Sequence, residues 1–164
     1  MVDTAAVPET ATLVTPQVLL EHWQGHRRLT RRVIEAFPED KLFTFSLGGM
    51  RPFSEFVLEF LKMAEPIVEG VATGQWKSLE IPEAPKTKAD LLRRWDEATV
   101  AINRIWSTIP ISRFPVVDKA FGMWENSNIN TILYAIDNET HHRGQGYVYL
   151  RALGIEPPPF WERT

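Results

Sequence analysis

A chain of 164 residues with 44% hydrophobic and 24% charged residues is long enough to bury a core and has the make-up of an ordinary globular protein. Its formal charge of −3 and its lack of cysteine exclude a broad basic footprint for nucleic acid, disulfides, thiolate metal ligands and a cysteine nucleophile. No apolar run approaches the roughly 18 residues of a membrane span, and the opening MVDTAAVPETATLVTPQ has neither part of a signal peptide, so the expectation is a cytoplasmic protein with no membrane or nucleic-acid partner.

Residues 1–14 read as a flexible polar tail. Thr15-Pro16 then opens a first helix, with Thr as N-cap and Pro at the first helical position, where its missing N–H is not needed. The helix continues through VLLEHWQGHRRLTRRVIEAF and stops before Pro38. Its basic run, Arg27, Arg28, Arg31 and Arg32, spreads around the helix and reads as a solvated face. His22 and His26 share a face at four-residue spacing and have the geometry to chelate a metal. The glutamate of an HExxH motif is missing between them, so boundary histidines are the preferred reading.

After the turn residues Gly48-Gly49, a second helix is expected from about Phe53 to Val71. Phe53, Val57, Phe60, Leu61, Ala64 and Val68 recur at three- and four-residue steps and make one apolar face. The Pro-rich stretch IPEAPKTKAD leads to a third helix capped by Thr87, with Asp90 three residues on. That helix carries Leu91, Leu92, Trp95, Ala98, Ile102, Ile105 and Trp106, and ends by Ile109-Pro110. ISRFPVVDKAFGMW is neither clear strand nor clear helix; two short extended pieces or a structured loop both suit it. The fourth helix runs from about Asn126 to Leu153, is closed by Gly154, and gives way to a rigid tail, IEPPPFWERT, whose residues 157–164 are expected to pack on the helices. There is no repeat, no Gly-rich phosphate loop and no alternation long enough for a sheet. The expected fold is all-α, a four-helix bundle over residues 15–156, where sites form from side chains of facing helices.

The fourth helix holds the richest pattern, NETHHRGQG from Asn138 to Gly146. Neighbours on a helix point about 100° apart, so His141 and His142 cannot share one ligand site. Thr131, Tyr134, Asn138, His142, Gln145 and Tyr149 fall on one side, a stripe of groups that ligate or hydrogen-bond. His141 lies at its edge, nearer Asp137 and Tyr134.

These residues carry a resemblance. His141-His142-Arg143-Gly144-Gln145, with Tyr149-Leu150-Arg151-Ala152-Leu153-Gly154 after it, resembles the end of the DinB-like four-helix family. Met50-Arg51-Pro52-Phe53-Ser54-Glu55-Phe56-Val57-Leu58 resembles the start of that family's second helix, and Gly74-Gln75-Trp76 the turn that follows it. The resemblance runs from about Thr15 to Glu156. It implies a bundle, often a homodimer, with a three-histidine divalent-metal site: one ligand from the second helix and two, four residues apart, from the fourth. It also implies relatives that act as metal-dependent thiol transferases or thiol-dependent isomerases.

Carried over residue by residue, the ligands fall on Glu59, Asn138 and His142, and His141 is the neighbour of the last. Two family histidines are thus replaced by a carboxylate and an amide. Such a set is harder and poorer in nitrogen, which favours Mn²⁺-like or Mg²⁺-like ions over Zn²⁺ or Ni²⁺ and weakens binding. The expected cofactor is a weakly held divalent ion (Mn, Ni or Zn). In this reading His141 shuttles protons, since imidazole exchanges them near neutral pH, while Gln145, Tyr149 and Tyr134 contact substrate, and any thiol comes from a low-molecular-weight cosubstrate. Arg143 and Arg151 are read as partners of bundle carboxylates. Glu59 equally suits a surface pairing with Lys62. Three readings therefore stay open: a variant metal site; a metal-free pocket with Glu59 and His142 as an acid–base pair; or a decayed site on a stress-response or interaction protein, with Trp23, Trp95, Trp106, Trp124 and Trp161 as candidate core or interface.

Overall fold

The structure, a computed structural model, describes residues 14–78, 80–81 and 83–164. The tail expected over residues 1–14 lies, Val14 apart, outside the described residues. The elements are α1 (Pro16–Ala36), α2 (Glu39–Thr44), α3 (Phe53–Thr73), α4 (Lys88–Trp106), a hairpin of β1 (Val117–Ala120) and β2 (Trp124–Ser127), and α5 (Asn128–Ala152). The four long helices are the four expected, so the all-α class holds. The additions are the single turn and a half of α2 and the hairpin; the ISRFPVVDKAFGMW segment holds a 3-10 turn (Ile111–Arg113), β1 and the first residue of β2, and the rest of β2 takes the expected start of the fourth helix, which begins at Asn128 instead of Asn126.

Local chemistry sets the boundaries. Thr15 Oγ1 accepts from the Val18 N–H at 3.2 Å, and Thr87 Oγ1 from the Asp90 N–H at 3.1 Å, each satisfying an N–H that has no partner within its own helix. α5 ends with Gly154 at φ 76°, while the Gly154 N–H donates to Arg151 C=O at 3.0 Å and Ile155 N–H to Leu150 C=O at 2.9 Å. That pair of bonds is a Schellman motif, which needs a left-handed residue at this point.

Two apolar clusters fix the topology. One joins the starts of α3 and α4 (Phe53, Phe56, Leu91, Trp95) to the ends of α1 and α5 (Val33, Ile34, Tyr149, Leu150). The other joins the starts of α1 and α5 (Leu19, Trp23, Ile132, Ile136) to the ends of α3 and α4 (Val68, Val71, Ile102, Trp106). Hence α1 and α5 run one way and α3 and α4 the other. α3 packs on α4 and α5, as does α1, which leaves α1 diagonal to α3.

Between the clusters, on the α1 side, lies a buried polar layer that corrects the reading of the basic run at Arg27. Arg27 is 1% exposed. Its guanidinium stacks 3.9 Å above the Trp95 ring and donates to Thr99 Oγ1 and the Trp95 carbonyl. Burial costs the charged form most and lowers its pKa to about 10, with the Glu139 and Asp96 charges opposing. Arg31 pairs with Asp96 and Glu35, and Arg28 and Arg32 donate to the carbonyls of Arg163 and Glu162. Arg27 alone is drawn into the interior, because a bundle with a carboxylate there needs a cation; Arg28 stays exposed and Arg31 and Arg32 half-buried, on the solvated side that the sequence suggested. The bonds of Arg28 and Arg32 hold the C-terminal tail against α1.

Candidate functional site

α3 and α5 are antiparallel, and Glu59 on α3 meets Asn138 and His142 on α5. Asn138 Nδ2 donates to Glu59 Oε1 at 3.1 Å, and His142 Nε2 lies 3.4 Å from the same oxygen. The three residues singled out in the sequence thus converge on one carboxylate oxygen. Around them the shell is aromatic. Phe56 stacks on the His142 ring, with centroids 4.5 Å apart and planes 13° off parallel, and Phe60 lies at 6.0 Å. His142 Nδ1 lies 2.7 Å from Gln145 Oε1.

A fourth member comes from the segment before α3. Arg51 donates to Glu59 Oε2 at 2.7 Å, and its guanidinium lies 4.7 Å over the Phe56 ring. Tyr149 holds this segment in place, since its hydroxyl donates to the Arg51 carbonyl at 3.0 Å. Burial on its own would raise the Glu59 pKa. Hydrogen bonds from Arg51 and Asn138 and the nearby positive charge outweigh that cost, and the carboxyl is held below its ordinary range.

A carboxylate, an imidazole and an amide are donor types that a hard divalent ion takes. With Nδ1–H donating to the Gln145 carbonyl oxygen, the Nε2 lone pair of His142 faces Glu59 Oε1. Two electron-rich atoms at that distance repel unless a proton or a cation lies between them. Asn138 Oδ1 is buried with no hydrogen-bond partner; exchanging the two ends of the amide turns that oxygen toward Glu59. The observed separations of 3.1 and 3.4 Å are close to the about 3 Å that adjacent oxygen ligands keep around an ion with bonds of about 2.1 Å. Among the described residues no three His, Cys, Asp or Glu side chains converge; this set reaches three donors only by counting the amide. The guanidinium of Arg51 already holds the other oxygen of Glu59.

The other expected residues separate. His141 is exposed, its ring 4.9 Å from that of His142. Gln145 acts on His142, and Tyr149, fully buried, acts on Arg51. Tyr134 lines a different cleft farther along the groove. Lys62 is not the partner of Glu59; Arg51 is. His22 and His26 do approach, with Nε2 atoms 3.2 Å apart, but Arg143 and Arg163 lie 2.9 and 3.1 Å from the two ring nitrogens of His26. Burial first, then the charges of Arg143, Arg163 and His22, lowers the His26 pKa to about 3, so this is a neutral core histidine among cations. Arg143 does pair with a bundle carboxylate, Glu139, at 3.8 Å. Sequence reasoning missed Arg51 and Phe56 as site residues. Both stand in the quoted MRPFSEFVL block, but the turn that brings Arg51 back onto Glu59 leaves no periodic signal.

The DinB family model matches residues 9–163. The chain is 25% identical to the uncharacterised protein YjoA of Bacillus subtilis over 152 residues, which spans 88% of this chain and 95% of that one. Two crystal structures are similar in fold. A DinB-like protein of Bacillus subtilis (YjoA) superposes with a TM-score of 0.72 at 19% identity, covering 89% of this chain and 99% of that one. A DinB-like protein of Bacillus cereus ATCC 10987 does so with 0.71 at 15%, covering 87% and 95%.

Proposed function

The chain belongs to the DinB family, and from that premise we propose that it is a divalent-metal-dependent enzyme of thiol-dependent transferase or hydrolase type, with Glu59, Asn138 and His142 as its protein ligands. The observation that carries the reading is the convergence of a carboxylate, an imidazole and an amide on one point, with His142 Nε2 3.4 Å from Glu59 Oε1 and the Asn138 amide 3.1 Å from the same oxygen. When bound, the ion would supply Lewis acidity toward a water or a thiol. The residues of this chain do the rest. Gln145 holds the ring through Nδ1, as outer-shell partners do for ligating histidines, and Phe56 fixes the ring plane. His141, at the exposed rim, carries protons to and from solvent. With no cysteine in the chain, a thiol enters only as a cosubstrate.

The Arg51–Glu59 contact of 2.7 Å favours a second reading, in which Arg51 supplies the charge, His142 Nε2–H donates to Glu59, and the network is a metal-free pocket. Metal analysis of untagged protein separates the two. One Mn²⁺ per chain, lost in Glu59→Ala and in His142→Ala, is the expected result. Absence of stoichiometric metal after incubation with Mn²⁺, Ni²⁺ and Zn²⁺ overturns the metal reading and leaves the pocket.

A further inference from the structure

One turn farther along the α3–α5 groove the polar residues give way to a cleft of about 270 Å³, walled by Met63, Ile67, Phe121, Trp124, Thr131 and Tyr134. The antiparallel register places it next along the groove from the site. Glu59 faces Asn138; four residues on along α3 is Met63, four back along α5 is Tyr134, and Ile67 and Thr131 form the next rung. The cleft therefore begins about one helical turn along α3 and α5 from the three donors.

Its floor is apolar and closed, with Ile67 and Ala120 each 2% exposed, but its aromatic walls are open, with Trp124 61% and Tyr134 59% exposed. The hairpin that brings Phe121 and Trp124 here is held rigidly. Asn128 Nδ2 donates to the Arg113 carbonyl at 2.9 Å and to Asp118 Oδ2 at 3.2 Å, and Arg113 donates to the Val71 carbonyl at 2.8 Å. Phe121 takes φ 52°, a left-handed conformation that is costly for a bulky side chain. That backbone sets its ring edge-on between Trp76, at 5.5 Å, and Trp124, at 6.2 Å. Open aromatic rings on a fixed frame over a closed apolar floor are the features of a preformed small-molecule site. The volume is below the about 300–1,000 Å³ of a whole drug-sized ligand, so the cleft takes part of a molecule.

We propose that this cleft binds the flat, apolar end of the substrate, an aryl or comparably rigid ring, while the reacting head lies at Glu59, Asn138 and His142. The placing of the head rests on the site reading above; the ring site does not. Asn126 and the Tyr134 hydroxyl at the rim would hydrogen-bond a polar substituent on the ring.

The test is an NMR titration of the full chain with benzyl alcohol, which has a ring and no chelating head. It is paired with calorimetry of acetohydroxamate and phenylacetohydroxamate on Mn²⁺-incubated protein. Benzyl alcohol is expected to shift the Trp124 indole N–H and the Phe121 and Tyr134 amides, and to leave the buried Trp95 indole unmoved. Trp124→Ala, a substitution at an exposed position, removes those shifts. Phenylacetohydroxamate is expected to bind at least tenfold tighter than acetohydroxamate, an advantage lost in Trp124→Ala. Shifts absent at 10 mM benzyl alcohol, or scattered over the surface, overturn the ring site whether or not metal binds. Shifts that follow protein concentration mark a contact between copies and overturn it too. Ring binding without any hydroxamate binding leaves the cleft standing and sinks the metal reading alone.

Discussion

In the proposed metal site Arg51 and the ion would compete for one carboxylate, Glu59, and that competition has a measurable signature. Arg51→Gln removes the guanidinium from Glu59 Oε2 while leaving Asn138 and His142 in place. Mn²⁺ affinity measured by calorimetry should rise by about tenfold, or about 1.4 kcal/mol. Unchanged absence of binding, with lower thermal stability, is the outcome the metal-free pocket requires. His26 offers a second test at this scale. Its folded pKa of about 3 against an ordinary 6.5 means that the unfolded chain takes up a proton over this window which the folded chain refuses. Stability therefore falls as pH drops from about 6.5 toward 3, by at most about 1.4 kcal/mol per pH unit from this group. Burial raises the Glu139 pKa, with Arg27, Thr30 and Arg143 opposing, so Glu139 acts in the opposite sense. Comparing His26→Gln with wild type isolates the histidine. Urea midpoints between pH 4 and 6.5 should show a flatter slope in the variant; equal slopes would refute the assignment. At this scale Asn138 and His142 stood out as one stripe of a helix, Glu59 came only from the family resemblance, and Arg51 was hidden because a turn leaves no periodic signal.

Helix α5 shows where reading by element succeeds and where it stops. Its length and its Gly154 ending were legible from caps. Its faces were not fully so, because its buried side carries Asn128, Thr131, Glu139 and Arg143 and the apolar period is broken. The expected stripe of six divides accordingly: Thr131 and Tyr149 are buried, Tyr134 is open, and only Asn138, His142 and Gln145 act together. α2 and the hairpin were left unassigned for a different reason, since each is too short to show a period. Two glycines on α5 give an element-scale prediction. A Cβ at Gly146 would lie 2.5 Å from Phe53 Cε2, whereas one at Gly144 meets nothing within 4 Å. Gly146→Ala should lose about 1–2 kcal/mol, overpacking of up to about 3 kcal/mol less about 1 kcal/mol of helix propensity. Gly144→Ala should gain about 0.5–1 kcal/mol. Thermal melts that move both variants in the same direction would contradict the packing described.

Across the whole molecule, charge is divided between two faces of α5. Toward α1, Glu139 and Arg143 are locked into the interior with Arg27, Thr30 and His26, and serve the fold. Toward α3, Asn138 and His142 meet a carboxylate in the groove beside an aromatic cleft, and these are the groups we propose to meet a ligand. The bundle was readable because apolar period and caps survive almost any change of site. The chemistry was less so, since it turns on Glu59 and Asn138, where the family resemblance expects histidine. Zn²⁺ calorimetry of Asn138→His against wild type, with His142→Ala added to each, probes that point most directly. If the groove is a metal site, restoring the imidazole four residues before His142 tightens Zn²⁺ by at least tenfold, and His142→Ala abolishes the gain. No tightening, or a gain that survives loss of His142, would contradict it.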